Sequence, residues 1–433
     1  MARSYTLYNL RIILVLTLGS LTFGYSFSVI SNTLGQPGFL QYFNLNNNAA
    51  DTNAITGAIN GLYCAGAIFG ALLTGWMCEA RGRKMTMYLA SAISILGGAL
   101  QTGSVNIAMF LAARFITVRD LTSQHPWILV LTRDRRDEAW AIVSRLHGDP
   151  TNEDSRLYAR EEFYQMTQQV QADAIAWAQG GNKQLFTKPS YRKRMWMGFF
   201  IQYAAQSTGA QVIYVYVITL YQNLGLTSGV PLILGAAYVT VATLSNFFGA
   251  LIVDKVGQKP LLITGLAGCM ISLTLETVMI ARYAGTTNNA GLSMGVFFTF
   301  CFISFYGGGI DVVGYIYCSE IFPTHIRSQG VAWSLVGTFL STLVYVEAAP
   351  TALANIQWKY YVIFICLTAI NIAILYLWCP ETKGLSLEEI NGRFGDEVVV
   401  HFSDATEKQR IDLVQAVAID DRKDAVSAGR KAV

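Results

Sequence analysis

The chain has 433 residues and a net charge of +3; it is 53% hydrophobic, only 14% charged, and has a mean hydropathy of +0.38. Soluble domains carry about 25% charged residues, so most of this surface faces something other than water, and so small and dispersed a charge excludes a nucleic-acid-binding face. Seven cysteines lie in or at the ends of apolar runs without metal or redox spacing, and no catalytic motif, phosphate loop or metal cluster appears, so neither an enzyme nor a cofactor is expected.

A helix that crosses a bilayer needs about 20 mostly apolar residues. Nine segments approach or meet this in chain order: Ile12–Ile30, Ala54–Cys78, Met85–Leu100, Met195–Tyr221, Val230–Val253, Leu261–Ile280, Met294–Tyr317, Val331–Val346 and Tyr360–Cys379. The first is too long for the core of a cleavable signal, and no small-residue cleavage site follows it. Val105–Val118 is a tenth, defective candidate, because it breaks off at Arg119-Asp120. Two polar regions remain, Thr132–Arg194 with 11 Lys/Arg against 9 Asp/Glu, and Pro380–Val433 with 8 against 11. With both signs mixed, they read as solvated helices and loops.

Basic residues orient the segments. The connections 33–53, 223–229, 285–293 and 347–356 hold no Lys or Arg, whereas 81–84, 133–136, 192–194, 255–259 and 327 are basic. The positive-inside rule makes the second set and both termini cytoplasmic. Three early crossings would leave the basic region 132–194 outside, so parity demands a fourth crossing between Ser104 and Leu131. At about 1.5 Å per residue the 14-residue stretch Val105–Val118 reaches only about 21 Å of a core about 30 Å thick. The crossing is thus required by charge and too short by length.

An internal repeat is visible. "GWMCEARGRK" (Gly75–Lys84) and "ALIVDKVGQKP" (Ala250–Pro260) align so that Glu79 matches Asp254, Gly82 matches Gly257 and Lys84 matches Lys259. An acid, then a glycine three residues on, then bases, fits a tight turn between helices. The repeat then fails. "SEIFPTHIRSQG" (Ser319–Gly330) has no counterpart in the first part, which holds three helices and a stub against six in the second.

These residues resemble the sugar-porter family of the major facilitator superfamily, from about Leu10 to Gly384. The family's G-x-x-x-[DE]-x-x-G-R-[RK] turn is matched by Gly75, Glu79, Gly82, Arg83 and Lys84, and its repeat by Asp254, Lys255, Gly257 and Lys259, with Gln258 where Arg is usual. "CSEIFPTHIRSQG" resembles the E-x-F-P-x-x-x-R motif after helix ten, and "PETKG" (Pro380–Gly384) the signature after helix twelve. "ARFIT" (Ala113–Thr117) is similar to the start of the helix-four G-R-x-x-x-G-x-G motif, with Ala113 for Gly, and "PWILVLTRDRRDEAW" to a degraded P-E-S-P-R-W-L, which follows helix six. "GYSFSVISNTLGQPGF" and "PTALANIQWKYY" further resemble fungal hexose and disaccharide permeases.

The resemblance implies an all-α polytopic membrane protein with the superfamily's fold, in which the end of helix four and helices five and six are absent between about Thr117 and Pro126. About 9–10 transmembrane helices would stand in place of twelve. The division that follows is an incomplete N-terminal half (1–131), a cytoplasmic inter-half linker (132–194), a six-helix half (195–379) and a cytoplasmic tail (380–433).

Sugars are bound by amides, hydroxyls and aromatic faces near the bilayer midplane, and polar residues inside spans are functional candidates. The richest stretch is "FFIQYAAQSTGAQVIYVYV" (Phe199–Val217). Gln202 and Gln206, at i and i+4, share a helix face, and Gly209 can break the helix and redirect Gln211 and Tyr214. The family's Q-x-[ST]-G-x-N motif matches at Gln206, Thr208 and Gly209, with Gln211 for Asn. Its helix-eight Asn falls on Ala242, and Asn246 one turn later is a substitute. Its helix-ten aromatic falls on Tyr315, four residues after Asp311, an acid that either binds a hydroxyl, titrates a proton or anchors a neighbouring helix. Helix packing is the competing account of each polar group.

The family's proton symporters carry an acid after G-[YF] in helix one, where this chain has Ser26; serine cannot titrate, which favours facilitated diffusion. Glu79, Gly82, Arg83, Lys84, Asp254, Lys255, Gly257, Glu320 and Arg327 are similar to the family's cytoplasmic charge network, and Arg114 would be a further member. The expected protein is therefore a plasma-membrane carrier of a hexose or disaccharide working by alternating access, with a small-molecule sugar and the lipid bilayer as partners, no nucleic acid, and an oligomeric state the sequence leaves open. A non-transporting sugar sensor or inactive truncated paralogue, and a proton-coupled symporter of a sugar or other polar solute, are the alternatives.

Overall fold

A computed structural model describes residues 49–117, 184–223, 229–283, 288–323 and 326–385, with scattered positions between 24 and 45 and at 140, 286, 390 and 392–395. Most of Ile12–Ile30, the bulk of the linker and the tail beyond residue 385 lie outside the described residues, as do the side chains of Glu79, Arg83 and Lys84.

The described elements are helical: α1 (Pro37–Tyr42), α2 (Ala49–Ala80), α3 (Arg83–Thr102), α4 (Ile107–Ile116), α5 (Pro189–Gln206), α6 (Ala210–Asn223), α7 (Val230–Val256), α8 (Gln258–Tyr283), α9 (Asn289–Tyr306), a π-helical turn (Gly307–Asp311), α10 (Val312–Glu320), α11 (Arg327–Asn355) and α12 (Lys359–Trp378). The long helices belong to one compact unit, residues 20–122 and 185–390. Among the described residues six stretches are long and apolar enough to cross a membrane: Thr52–Cys78, Val230–Val256, Gln258–Tyr283, Ala290–Glu320, Arg327–Asn355 and Lys359–Trp378. The expected span Met85–Leu100 lies in α3, and Met195–Tyr221 is divided between α5 and α6.

Local sequence sets the helix ends. Asn106 caps α4 by accepting from Met109 N at 2.8 Å, and Asn288 caps α9 through Ala290 N and Gly291 N, as short acceptor side chains do at N-termini. Proline opens α5 and α7, where its missing N–H costs no hydrogen bond. The defective candidate Val105–Val118 becomes α4, whose ten residues rise about 15 Å, half of a hydrocarbon core.

Inside a bilayer, helices associate by close contact of small residues more than by hydrophobic driving force. α2 and α11 do so antiparallel along their whole length: Gly57 and Gly61 lie against Glu347, and Gly75 against Ala332 and Ser328. Between these ends Cys64, Ala67 and Ala71 pack on Leu335 and Phe339. A smaller cluster, Ile30, Ile59 and Phe110 with Phe39 and Phe43, joins α1, α2 and α4. α7 is the least buried of the six spans, and Leu232, Ile233, Leu244, Phe247, Phe248 and Leu251 form its outward face.

Candidate functional site

The six-helix part is built around one break and one bulge. α5 stops at Gln206 and α6 begins at Ala210; between them Gly209 takes φ +83°, and a Cβ there would lie 2.8 Å from the Phe364 ring. Only glycine combines that dihedral with that contact. The bulge is the π-turn Gly307–Asp311, which interrupts the apolar run of α9. Its glycines let three helices meet: a Cβ on Gly249 of α7 would come within 2.6 Å of Gly308 O, and one on Gly265 of α8 within 2.9 Å of Gly309. Single-turn π-bulges of this kind recur at functional sites.

Two buried amides lie on α5 at and just before the break. Gln202 is 2% exposed; its Oε1 accepts from the Thr338 hydroxyl of α11 at 3.0 Å, and its Nε2 has no hydrogen-bond partner among the described atoms. Gln206, 4% exposed, does the reverse: its Nε2 donates to the Tyr306 hydroxyl at 3.2 Å, and its Oε1 has no partner among the described atoms. A neighbour on each side thus leaves one unsatisfied donor and one unsatisfied acceptor a single helix turn apart. Beyond the break, Gln211 and Tyr214 are half-buried, and the Gln211 Oε1 also lacks a partner.

Of the other expected sugar contacts, Asn246 and Asp311 engage each other, Asn246 Nδ2 donating to Asp311 Oδ2 at 3.1 Å. That bond ties α7 to the π-turn, the helix-anchoring role weighed for Asp311. Tyr315 is half-exposed on α10. Sequence reasoning passed over Tyr306 and Thr338, whose importance comes from contacts across 100 and 136 residues of chain. It also passed over Tyr345, whose hydroxyl meets those of Tyr203 at 3.0 Å and Ser207 at 3.2 Å.

A second group gathers at the end of the bundle that carries the glycine turns. Gly82 and Gly257 adopt matching backbones, φ/ψ 83°/156° and 104°/158°, so the sequence repeat is also a repeat of geometry. Asp254 and Lys255 are exposed. Gln258, at the position where the family has Arg, is buried and joins three elements: its Nε2 donates to Glu320, its Oε1 accepts from Thr382, and its backbone N–H donates to Glu381 Oε1 at 3.1 Å. Lys259 N donates to Glu381 Oε2 at 3.1 Å, so Glu381 of "PETKG" caps α8 from 122 residues away. Arg327 holds Phe322 O through Nε at 3.3 Å, and the fully buried Arg194 donates to Ile321 O at 3.1 Å. Arg114 stands apart from this group. It is fully buried against the Tyr63 ring, 4.3 Å from its centroid, about three turns of α2, or roughly 18 Å, before Gly75; a planar cation stacks favourably on such a face.

The capping carboxylate gives a first test. Glu381→Ala removes two charge-assisted bonds to the first turn of α8 and is expected to cost about 1–2 kcal/mol. Thermal unfolding of the purified protein should show a fall of a few degrees, and an unchanged Tm would remove Glu381 from that role.

Among the described residues, six bilayer-long apolar helices, a broken helix carrying buried amides and glycine turns repeated in both parts fit a polytopic membrane protein. The sequence model described as "Sugar (and other) transporter" matches residues 12–118 and 125–394, and the chain belongs to that family. It is therefore an integral, multi-pass membrane protein. Among curated relatives, the MFS-type transporter criB of Aspergillus cristatus is 24% identical, with 89% of this chain and 93% of the relative covered. The high-affinity glucose transporter of Kluyveromyces lactis is 23% identical, with 90% and 86% covered. Among solved structures, the proton:xylose symporter XylE of the major facilitator superfamily, bound to 6-bromo-6-deoxy-D-glucose, superposes with a TM-score of 0.72 at 17% identity, covering 88% of this chain and 98% of that one. The family match is interrupted between residues 118 and 125. The alignment to criB runs over 461 positions, more than this chain possesses, while taking in 89% of its residues, so the relative carries residues with no counterpart here.

Proposed function

We propose that the protein carries a sugar, a hexose or disaccharide, across the plasma membrane by alternating access and facilitated diffusion. The observation that carries this reading is the amide pair: Gln202 oriented as a donor by Thr338 and Gln206 as an acceptor by Tyr306. A sugar hydroxyl donates and accepts at once, so neighbouring hydroxyls on one ring meet both needs. Gln211, Tyr214 and Tyr315 would complete the substrate's surroundings. Asn246 and Asp311, occupied with each other, would hold the π-turn, and an acid so engaged favours facilitation over symport, as does Ser26 in helix one. The glycine-turn residues Glu79, Arg83, Lys84, Asp254, Lys255, Glu320 and Arg327 would form the cytoplasmic latch, with both termini on that side.

In this reading residues 1–131 are a first half without the end of helix four and helices five and six, 132–194 a linker, 195–379 a complete half and 380–433 a tail. The interruption of the family match at 118–125 supports it. Uptake of labelled hexoses and disaccharides into proteoliposomes is the test. Saturable uptake above empty liposomes is expected for at least one sugar, unaffected by a protonophore. No uptake of any sugar would overturn the carrier reading, and collapse with protonophore would overturn facilitated diffusion.

A further inference from the structure

The complete half contains a second polar centre, away from the amide pair. Glu276 of α8 is 3% exposed, within a helix long and apolar enough to cross a membrane, and its Oε2 has no hydrogen-bond partner among the described atoms. Three tyrosines on three other helices surround it electrostatically: Tyr221 of α6, Tyr238 of α7 and Tyr361 of α12. All are buried to 2% exposure or less, and none of their hydroxyls has a partner among the described atoms. The Thr299 hydroxyl of α9 lies beside the carboxyl; it donates to Gly295 O at 3.1 Å, which leaves its oxygen free to accept from a protonated carboxyl. All five residues sit toward the end of the half opposite the glycine turns, as their places in α6, α7, α8, α9 and α12 require.

No Lys, Arg, His or second carboxyl among the described residues acts on this group. Facing it from α6, α7 and α12 are the three phenols, and from α9 only Thr299. On its own helix the nearest titratable groups are the exposed Arg282, six residues on at the end of α8, and the buried Cys269 and half-buried Tyr283, each seven residues away. The π-turn that packs on α8 brings Asp311, but its contact is at Gly265, about 16 Å along the helix at 1.5 Å per residue. An ionised carboxylate in hydrocarbon needs a cation or several committed donors. The described partners supply neither a cation nor several committed donors, whereas a proton needs only one oxygen. A neutral carboxyl can also donate to a phenol oxygen and accept from another.

We propose that Glu276 is a proton-binding site of the six-helix half, holding a resident proton that the packed helices α6, α7, α8, α9 and α12 retain. The site is independent of the sugar reading, and a proton that stays in place leaves transport uncoupled.

Thermal unfolding of the purified full chain in lipid nanodiscs, between pH 6 and pH 9 and with no sugar present, tests the site apart from transport. A proton bound in the folded state and released from the unfolded chain makes stability fall as pH rises, the unfolding equilibrium shifting by about tenfold per pH unit for one proton. The wild-type Tm should decline across the range; Glu276→Gln, neutral at every pH, should lose that decline and become the more stable of the two at pH 9. Equal pH slopes in the two proteins would overturn the proposal. Should Glu276→Gln fail to fold, the infrared band of a protonated carboxyl at pH 7 decides in Asp311→Asn, which leaves Glu276 as the acid buried deepest among the described helices. Persistence of the band supports the site and its absence overturns it.

Discussion

Uptake by the Gln206→Leu variant at sub-saturating sugar is expected to fall about 10- to 100-fold. The substitution keeps the volume of the side chain and removes two bonds: the one Nε2 makes to Tyr306 at 3.2 Å and the one its unsatisfied Oε1 would accept from substrate. It also leaves the Tyr306 hydroxyl buried without that partner. Losing a hydrogen bond in such a site costs about 1–3 kcal/mol, and 1.4 kcal/mol is about a factor of ten in binding. The loss belongs to bound substrate as much as to the moving carrier, so KM should rise while the maximal rate changes little. Tyr306→Phe should give a smaller loss, about three- to tenfold, because the acceptor remains and only its orientation is freed. Unchanged concentration dependence in Gln206→Leu, measured by counterflow, would exclude the amide from the substrate's surroundings.

The second large effect is expected at Gly209. Valine there must adopt φ +83° and place its Cβ 2.8 Å from the Phe364 ring. A β-branched residue in that region costs about 1–3 kcal/mol, and forcing aside a packed ring adds a similar amount. Phe364 is fully buried and stacks edge-on against Tyr345 and Tyr360, so its displacement propagates to α11 and α12. Gly209→Val should therefore abolish uptake and lower Tm by many degrees, and Gly209→Ala should lie between it and wild type. Combining Gly209→Ala with Phe364→Leu should restore part of the loss, since the ring is then no longer in the way. Wild-type uptake by Gly209→Val would show that the break between α5 and α6 is dispensable.

How much of this was legible in the sequence depended on the range of the interaction. The spans α7, α8, α11 and α12 are continuous apolar runs, and hydropathy alone located them. The break at Gly209 was legible because glycine beside Thr208 and two glutamines interrupts an otherwise regular pattern. The matching turns at Gly82 and Gly257 were legible for the same local reason. The orientation of Gln202 and Gln206 was not, because Thr338 and Tyr306 are ordinary members of apolar helices until folding brings them alongside. Glu276 was passed over inside Leu261–Ile280: a single acid in a long apolar run leaves no periodic signature, and its tyrosines come from three other helices. The capping role of Glu381 was hidden too, since "PETKG" reads as the exit from the last helix and nothing nearby in sequence names α8 as its target.

That capping contact sets the boundary for anyone who labels or shortens the protein. Trp378 closes α12, but the structural unit extends through Thr382, whose hydroxyl reaches Gln258, and Lys383, whose ammonium holds Lys255 O. A fluorescent reporter or affinity tag fused directly after Cys379 would discard the clasp that fastens α12 to the start of α8. A junction before Ile390 would also remove Ile390 and Phe394, both buried.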